Sequence, residues 1–117
     1  MLRLWRATIN SWNGLVFAAR SEQAIREELF ALLLAVPLAC LIGTTMIRRV
    51  ELVAVVLLLL TVELLNTAIE KLADRLTTDH DPQIGHVKDM GSAAVGVVLL
   101  MIAAVWGVAL AERMGLL

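Results

Sequence analysis

The chain has a single cysteine, Cys40, set in an apolar run with no second thiol to meet. A disulfide framework is excluded, and the ordinary role for Cys40 is packing. Positive charge is not in surplus either, since ten Lys and Arg face eleven Asp and Glu. Nucleic acid is not an expected partner, because its binding rests on clustered cations neutralising phosphates. Histidine is scarce: His80 and His86 stand near Asp79 and Asp81, but no cysteine or helical histidine pair accompanies them, so zinc is not expected. At 117 residues, with no break in composition, there is no room for separate catalytic and regulatory domains. What fills the chain is hydrophobic, 60% of residues against roughly 45–50% in a soluble domain, with a mean hydropathy of +0.84. The expectation is one integral-membrane domain, residues 1–117.

The first twenty residues hold no continuous apolar core of the kind a cleavable signal needs and read as mature protein. Leu2, Trp5, Ile9, Trp12 and Val16 recur at steps of three and four, with Arg3, Arg6, Asn10, Asn13 and Arg20 largely elsewhere. That spacing predicts an amphipathic helix, and residues 1–28 are expected to lie in the headgroup zone. Three apolar stretches follow, each near the ~20 residues that cross a hydrocarbon layer as a helix. The first covers residues 29–47, with Pro37 suggesting a kink in mid-span and Arg48 and Arg49 ending it. The second, residues 50–76, is longer than a span requires and should project beyond the membrane. The third, residues 90–111, carries no charge and closes at Glu112 and Arg113. The expected fold is all-α: an amphipathic surface helix plus three transmembrane helices. Arg3, Arg6, Arg20, Arg26, Lys71, Arg75 and Lys88 fall on one side and Arg48, Arg49 and Arg113 on the other, which places the N-terminus in the cytoplasm.

Against this background the position of the acids is unusual. Glu63 is surrounded by leucine and valine at a depth where a charge costs ~2.5–3.5 kcal/mol. On a helix advancing 100° per residue, Glu63, Asn66, Glu70 and Asp74 share a stripe about 80° wide, with Glu63 and Glu70 about 10 Å apart along the axis. Such a stripe can be interhelical glue, its acids pairing with Arg20, Arg26 or Lys88. It can also be a hard-cation site, because oxygen ligands suit a magnesium ion that bridges to phosphates, with Glu22 as the opposing ligand. Similarly, in Lys88-Asp89-Met90-Gly91-Ser92, Asp89 or Ser92 could cap the third span while Gly91 allows close packing, or Lys88 could neutralise a phosphate chain near Glu70. A small transporter subunit with Glu63 as its proton-coupled carboxylate would explain one deep acid. It would leave Glu22, Glu70, Lys88 and Asp89 unexplained.

The run Glu63-Leu64-Leu65-Asn66-Thr67-Ala68-Ile69-Glu70, then Asp74-Arg75, then Lys88-Asp89-Met90-Gly91-Ser92-Ala93-Ala94-Val95, resembles the signature of the prokaryotic diacylglycerol kinases. The resemblance extends over the surface helix, the segment from Glu22 through Arg26-Glu27-Glu28, and the order of the spans. It implies transfer of the ATP γ-phosphate to diacylglycerol, with Mg²⁺ as cofactor, by a homotrimer in the bacterial inner membrane. By matching motif positions, Glu63 is the catalytic base and Glu22 and Glu70 are the magnesium ligands. ATP contacts are implied for Arg3, Asn10, Glu22, Glu70, Asp79, His80, Asp81, Lys88 and Asp89. Lipid contacts are implied for Thr8, Ser11, Trp12, Asn13, Phe17, Arg20, Ala24, Arg26, Glu28, Glu63 and Ser92, with Asn66 and Asp74 in support. No GxxxxGK[ST] or GxGxxG occurs, as expected of a family that shares no nucleotide motif with soluble kinases. A sister branch phosphorylates undecaprenol with the same motif, and the chain as a whole resembles the diacylglycerol branch more.

Overall fold

The computed structural model describes residues 1–117 as four helices: α1 (Leu2–Ser21), α2 (Gln23–Ile42), α3 (Met46–Leu76) and α4 (Pro82–Arg113). Their boundaries depart from the hydropathy pattern where capping chemistry competes with it. Residues 1–28 do not form one helix. Glu22 adopts an extended conformation, and the Arg26 guanidinium reaches back to the carbonyls of Ala19 (2.8 Å) and Arg20 (3.1 Å), which the end of α1 leaves open. The apolar stretch 29–47 is also divided. α2 stops at Ile42 with Pro37 inside it, and the Thr45 hydroxyl accepts the Arg48 N–H at 3.1 Å, so Met46 and Ile47 open α3 instead. At the buried Gly43 of this turn, the Arg49 side chain occupies the space a Cβ would need and donates from Nε to the Gly43 carbonyl at 3.1 Å.

α4 begins well before residue 90, and the connection from α3 is residues 77–81. The Asp81 carboxylate accepts the N–H groups of Gln83 (2.9 Å) and Ile84 (3.3 Å), and Pro82 fills the first helical position, where no donor is needed. Asp89 and Ser92 therefore lie inside a helix and cap nothing.

α3 is the central element, packed on α2 along one side and on α4 along another. Ala18, Ile25 and Leu60 join α1, α2 and α3 at one end. Ala39 and Ala109 close on Leu52 at the other, small residues letting the three backbones approach. That far end is locked further: Arg48 holds both oxygens of Glu112 (2.8 and 3.2 Å) and one of Glu51 (2.8 Å), and Trp106 donates to the Leu52 carbonyl at 3.2 Å. The molecule measures 53 × 41 × 23 Å, and its 41 Å breadth exceeds the ~30 Å of three packed helices, so α1 projects sideways.

The isolated chain exposes 8397 Å², against about 6,300 Å² for a soluble monomer of 12.8 kDa. The excess is apolar, including Leu33, Leu41, Leu65, Leu72, Leu99 and Leu100. Such a surface needs lipid or another apolar partner. α3 and α4 are each long and apolar enough to cross a membrane. α2 is not among them by that measure, because Arg26, Glu27 and Glu28 occupy its first turns and leave only about 21 Å of apolar helix, short of the ~30 Å core. Composition thus qualifies two spans where three were expected.

Candidate active site

The polar face of α3 meets the start of α2 and the first half of α4 at the end of the molecule from which α1 projects. Asn66 is buried there, and its Nδ2–H donates to Glu70 Oε1 at 3.2 Å. Its Oδ1 lies without a hydrogen-bond partner against the buried Gly91 of α4, where a Cβ would overlap it. The close approach expected of Gly91 is thus present, and it fixes the amide that orients Glu70. One turn toward the centre of α3, Glu63 is half-buried and within electrostatic reach of Glu70 and Glu22. Glu28, ahead of the apolar run of α2, buries its Oε2 without a hydrogen-bond partner. Its carboxyl is pushed up to about 7, first by burial and then by the charges of Glu63 and Glu27.

Glu22, Glu28, Glu63 and Glu70 therefore form one acidic cluster built from α2, α3 and the residue that joins α1 to α2. The cation directly paired with it is Lys71, whose Nζ lies 2.9 Å from Glu22 Oε1 and 5.3 Å above the centre of the Phe17 ring. In the sequence Lys71 counts only toward the distribution of basic residues, since it stands one position off the acid stripe; its adjacency to Glu70 is the available signal for a role in the site. Lys88 pairs at 2.6 Å with Asp74. Interhelical pairing of the acids is thus real, but Arg20 plays no part in it, and Arg26 is spent on carbonyl oxygens.

Beside the cluster, α1 and α3 enclose a cavity of about 490 Å³ lined by Ser11, Gly14, Phe17, Leu64, Thr67 and Lys71. A second cleft, about 340 Å³ and apolar, lies toward the far end, with Cys40 and Arg49 on its walls. The remaining candidates are not gathered at the acids. Arg3, Thr8, Asn10, Trp12 and Asn13 are exposed on α1, whose first fourteen positions are open on every side, Ala24 is exposed on α2, Asp79 and His80 are exposed in the α3–α4 connection, and Asp89 and Ser92 are exposed on α4. Thr8 returns its hydroxyl to the Leu4 carbonyl, and Asp81 is engaged as the cap of α4.

No three His, Cys, Asp or Glu side chains close a metal cage on their own. The donor set still fits magnesium, which takes one or two carboxylates and completes its shell with waters and phosphate oxygens. Glu22 and Glu70 are carboxylates that would serve as such ligands, in a field with an excess of negative charge.

A bundle with two helices long and apolar enough to cross a membrane, and an acidic cluster on its central helix, is the build of a small membrane protein with a polar site toward one end. Residues 9–110 match the family model described as prokaryotic diacylglycerol kinase. The chain is 40% identical over 113 residues to a diacylglycerol kinase of Escherichia coli (strain K12), covering 97% of this chain and 93% of the relative. It is 36% identical over 107 residues to that of Haemophilus influenzae, covering 92% and 91%, and 39% identical over 104 residues to that of Pseudomonas aeruginosa, covering 89% and 85%. The chain belongs to the prokaryotic diacylglycerol kinase family and is an enzyme, a membrane kinase. The transporter-subunit alternative falls with that membership.

Proposed function

We propose that this chain transfers the γ-phosphate of ATP to the primary hydroxyl of diacylglycerol, giving phosphatidic acid and ADP. The observation that carries this reading is the acidic cluster at one end of α3, with Glu70 oriented by Asn66 and Glu63 set deeper beside it. Glu63 takes the proton of the lipid hydroxyl as its oxygen bonds to the γ-phosphorus and the bond to the ADP oxygen breaks. Glu22 and Glu70 would hold Mg²⁺, which when bound neutralises charge on the phosphates. Asn66 donates to Glu70 and would keep it facing that region, and Lys88, paired with Asp74, would meet the nucleotide. The cavity between α1 and α3 is the lipid side of the site: α1 lies in the headgroup zone, holds the glycerol end near Glu63 and leaves the acyl chains in the bilayer. The acids and the basic residues of α1 then face the cytoplasm of a bacterial inner-membrane protein. α2 serves as the third span with its charged first turns in the interface. The large apolar surface of the single chain is divided between lipid and two further copies in a homotrimer.

The test is phosphate transfer from labelled ATP in mixed micelles, with diacylglycerol and undecaprenol offered separately. Label in phosphatidic acid is expected; label mainly in undecaprenyl phosphate would keep the chemistry and change the substrate. Glu63→Gln, which cannot take a proton, should lower kcat at least ~10²-fold while nucleotide binding persists. Unchanged turnover would remove Glu63 as the base.

A further inference from the structure

We propose that Lys71 is a built-in counter-ion of Glu22, which a bound divalent cation must displace, so that this lysine sets how tightly the site takes its metal–nucleotide complex. The inference rests on the reading of Glu22 as a metal ligand. Lys71 stands on α3 directly after Glu70, at the border between the acid stripe and the face that lines the α1–α3 cavity. Its ammonium meets Glu22 at 2.9 Å, across to the extended residue that joins α1 and α2. With Lys88 drawn to Asp74, Lys71 is the cation in direct contact with a group of four glutamates. Occupying a carboxylate oxygen that a metal needs, it competes with that metal in position and in charge.

Two features suit the pair to exchange rather than to permanent structure. Its side chains are 42% and 35% exposed, within reach of water and ions, whereas the Arg48–Glu112 pair at the far end is held through two hydrogen bonds and a second acid. The ammonium also has a second partner. It lies over the Phe17 ring at 5.3 Å, so it can give up the carboxylate while keeping a favourable contact. Ion pairs of this exposure are weak, which puts the competition at roughly two- to fivefold in affinity.

The experiment titrates the full-length protein in detergent micelles with Mn²⁺ and a non-hydrolysable ATP analogue, reading the complex from the relaxation of water protons. Lys71→Met and Lys71→Gln should each bind the complex roughly two- to fivefold more tightly than the parent chain, and Lys71→Arg should restore the parent affinity. Glu22→Gln should weaken binding, and adding Lys71→Met to it should change nothing further, since the competitor's target is gone. A purely structural lysine would move Tm and leave these affinities alone. Equal or weaker binding by both neutral variants, alongside weakened Glu22→Gln, overturns the role of Lys71 and leaves the metal reading standing. Unchanged binding by Glu22→Gln overturns both.

Discussion

Replacing Gly91 with alanine probes the contact that orients Glu70. A Cβ at this position falls on Asn66 Oδ1, while Asn66 Cγ and Cβ stand 3.3 and 3.9 Å away. The amide tip must therefore turn, and turning it breaks the 3.2 Å bond to Glu70. Crowding a packed helix contact costs about 1–3 kcal/mol, and the lost hydrogen bond about 1 kcal/mol more. Alanine recovers up to about 1 kcal/mol of helix propensity over glycine. The balance is a destabilisation of about 1–3 kcal/mol, read as a lowered Tm in detergent. The functional effect is separable from it: a carboxylate that has lost about 1 kcal/mol of orientation should raise the KM for Mg-ATP about fivefold. Removing the amide as well, in Gly91→Ala with Asn66→Ala, should restore much of the stability because the crowding is gone. KM should stay high, because Glu70 still lacks its donor. A single variant with parental Tm and KM, or a double variant with parental KM, would refute this account.

Two further predictions concern Glu28 and Glu112. Glu28 has a folded-state pKa of about 7, raised from 4.5, so its contribution to stability is full below pH ~4.5 and is lost as pH rises through 7. Glu28→Gln should flatten that decline between pH 5 and 8 and raise stability at pH 8 by about 1 kcal/mol, once solvent screening of a part-exposed group is allowed for; a parental Tm–pH profile would contradict it. At the opposite end, Glu112→Gln weakens the hold on Arg48 and should cost about 1 kcal/mol in thermal unfolding with kinase activity retained, because nothing in that network touches the acids. Loss of activity in a folded Glu112→Gln protein would show the two ends to be coupled.

The stripe of Glu63, Asn66, Glu70 and Asp74 follows from helical geometry once residues 50–76 are read as one helix, and α3 keeps those residues together. Helix ends were less legible, because hydropathy does not record capping. Thr45 and Asp81 moved the start of α3 to Met46 and of α4 to Pro82, each through one or two hydrogen bonds that periodicity cannot weigh, and the first segment breaks at the extended Glu22, where Arg26 takes up the carbonyls of Ala19 and Arg20.

The sequence by itself determined the class of solvent this chain requires, the helical content and the face of α3 on which the acids stand, because composition and a 100° step are local properties. Only the tertiary structure decided which cation answers which acid. Lys71, not Arg20 or Arg26, reaches Glu22, Lys88 goes to Asp74, and Asn66 turns its amide to Glu70 because Gly91 leaves space beside it. These choices depend on where separate helices cross, and a crossing is set by packing between side chains distant in the chain.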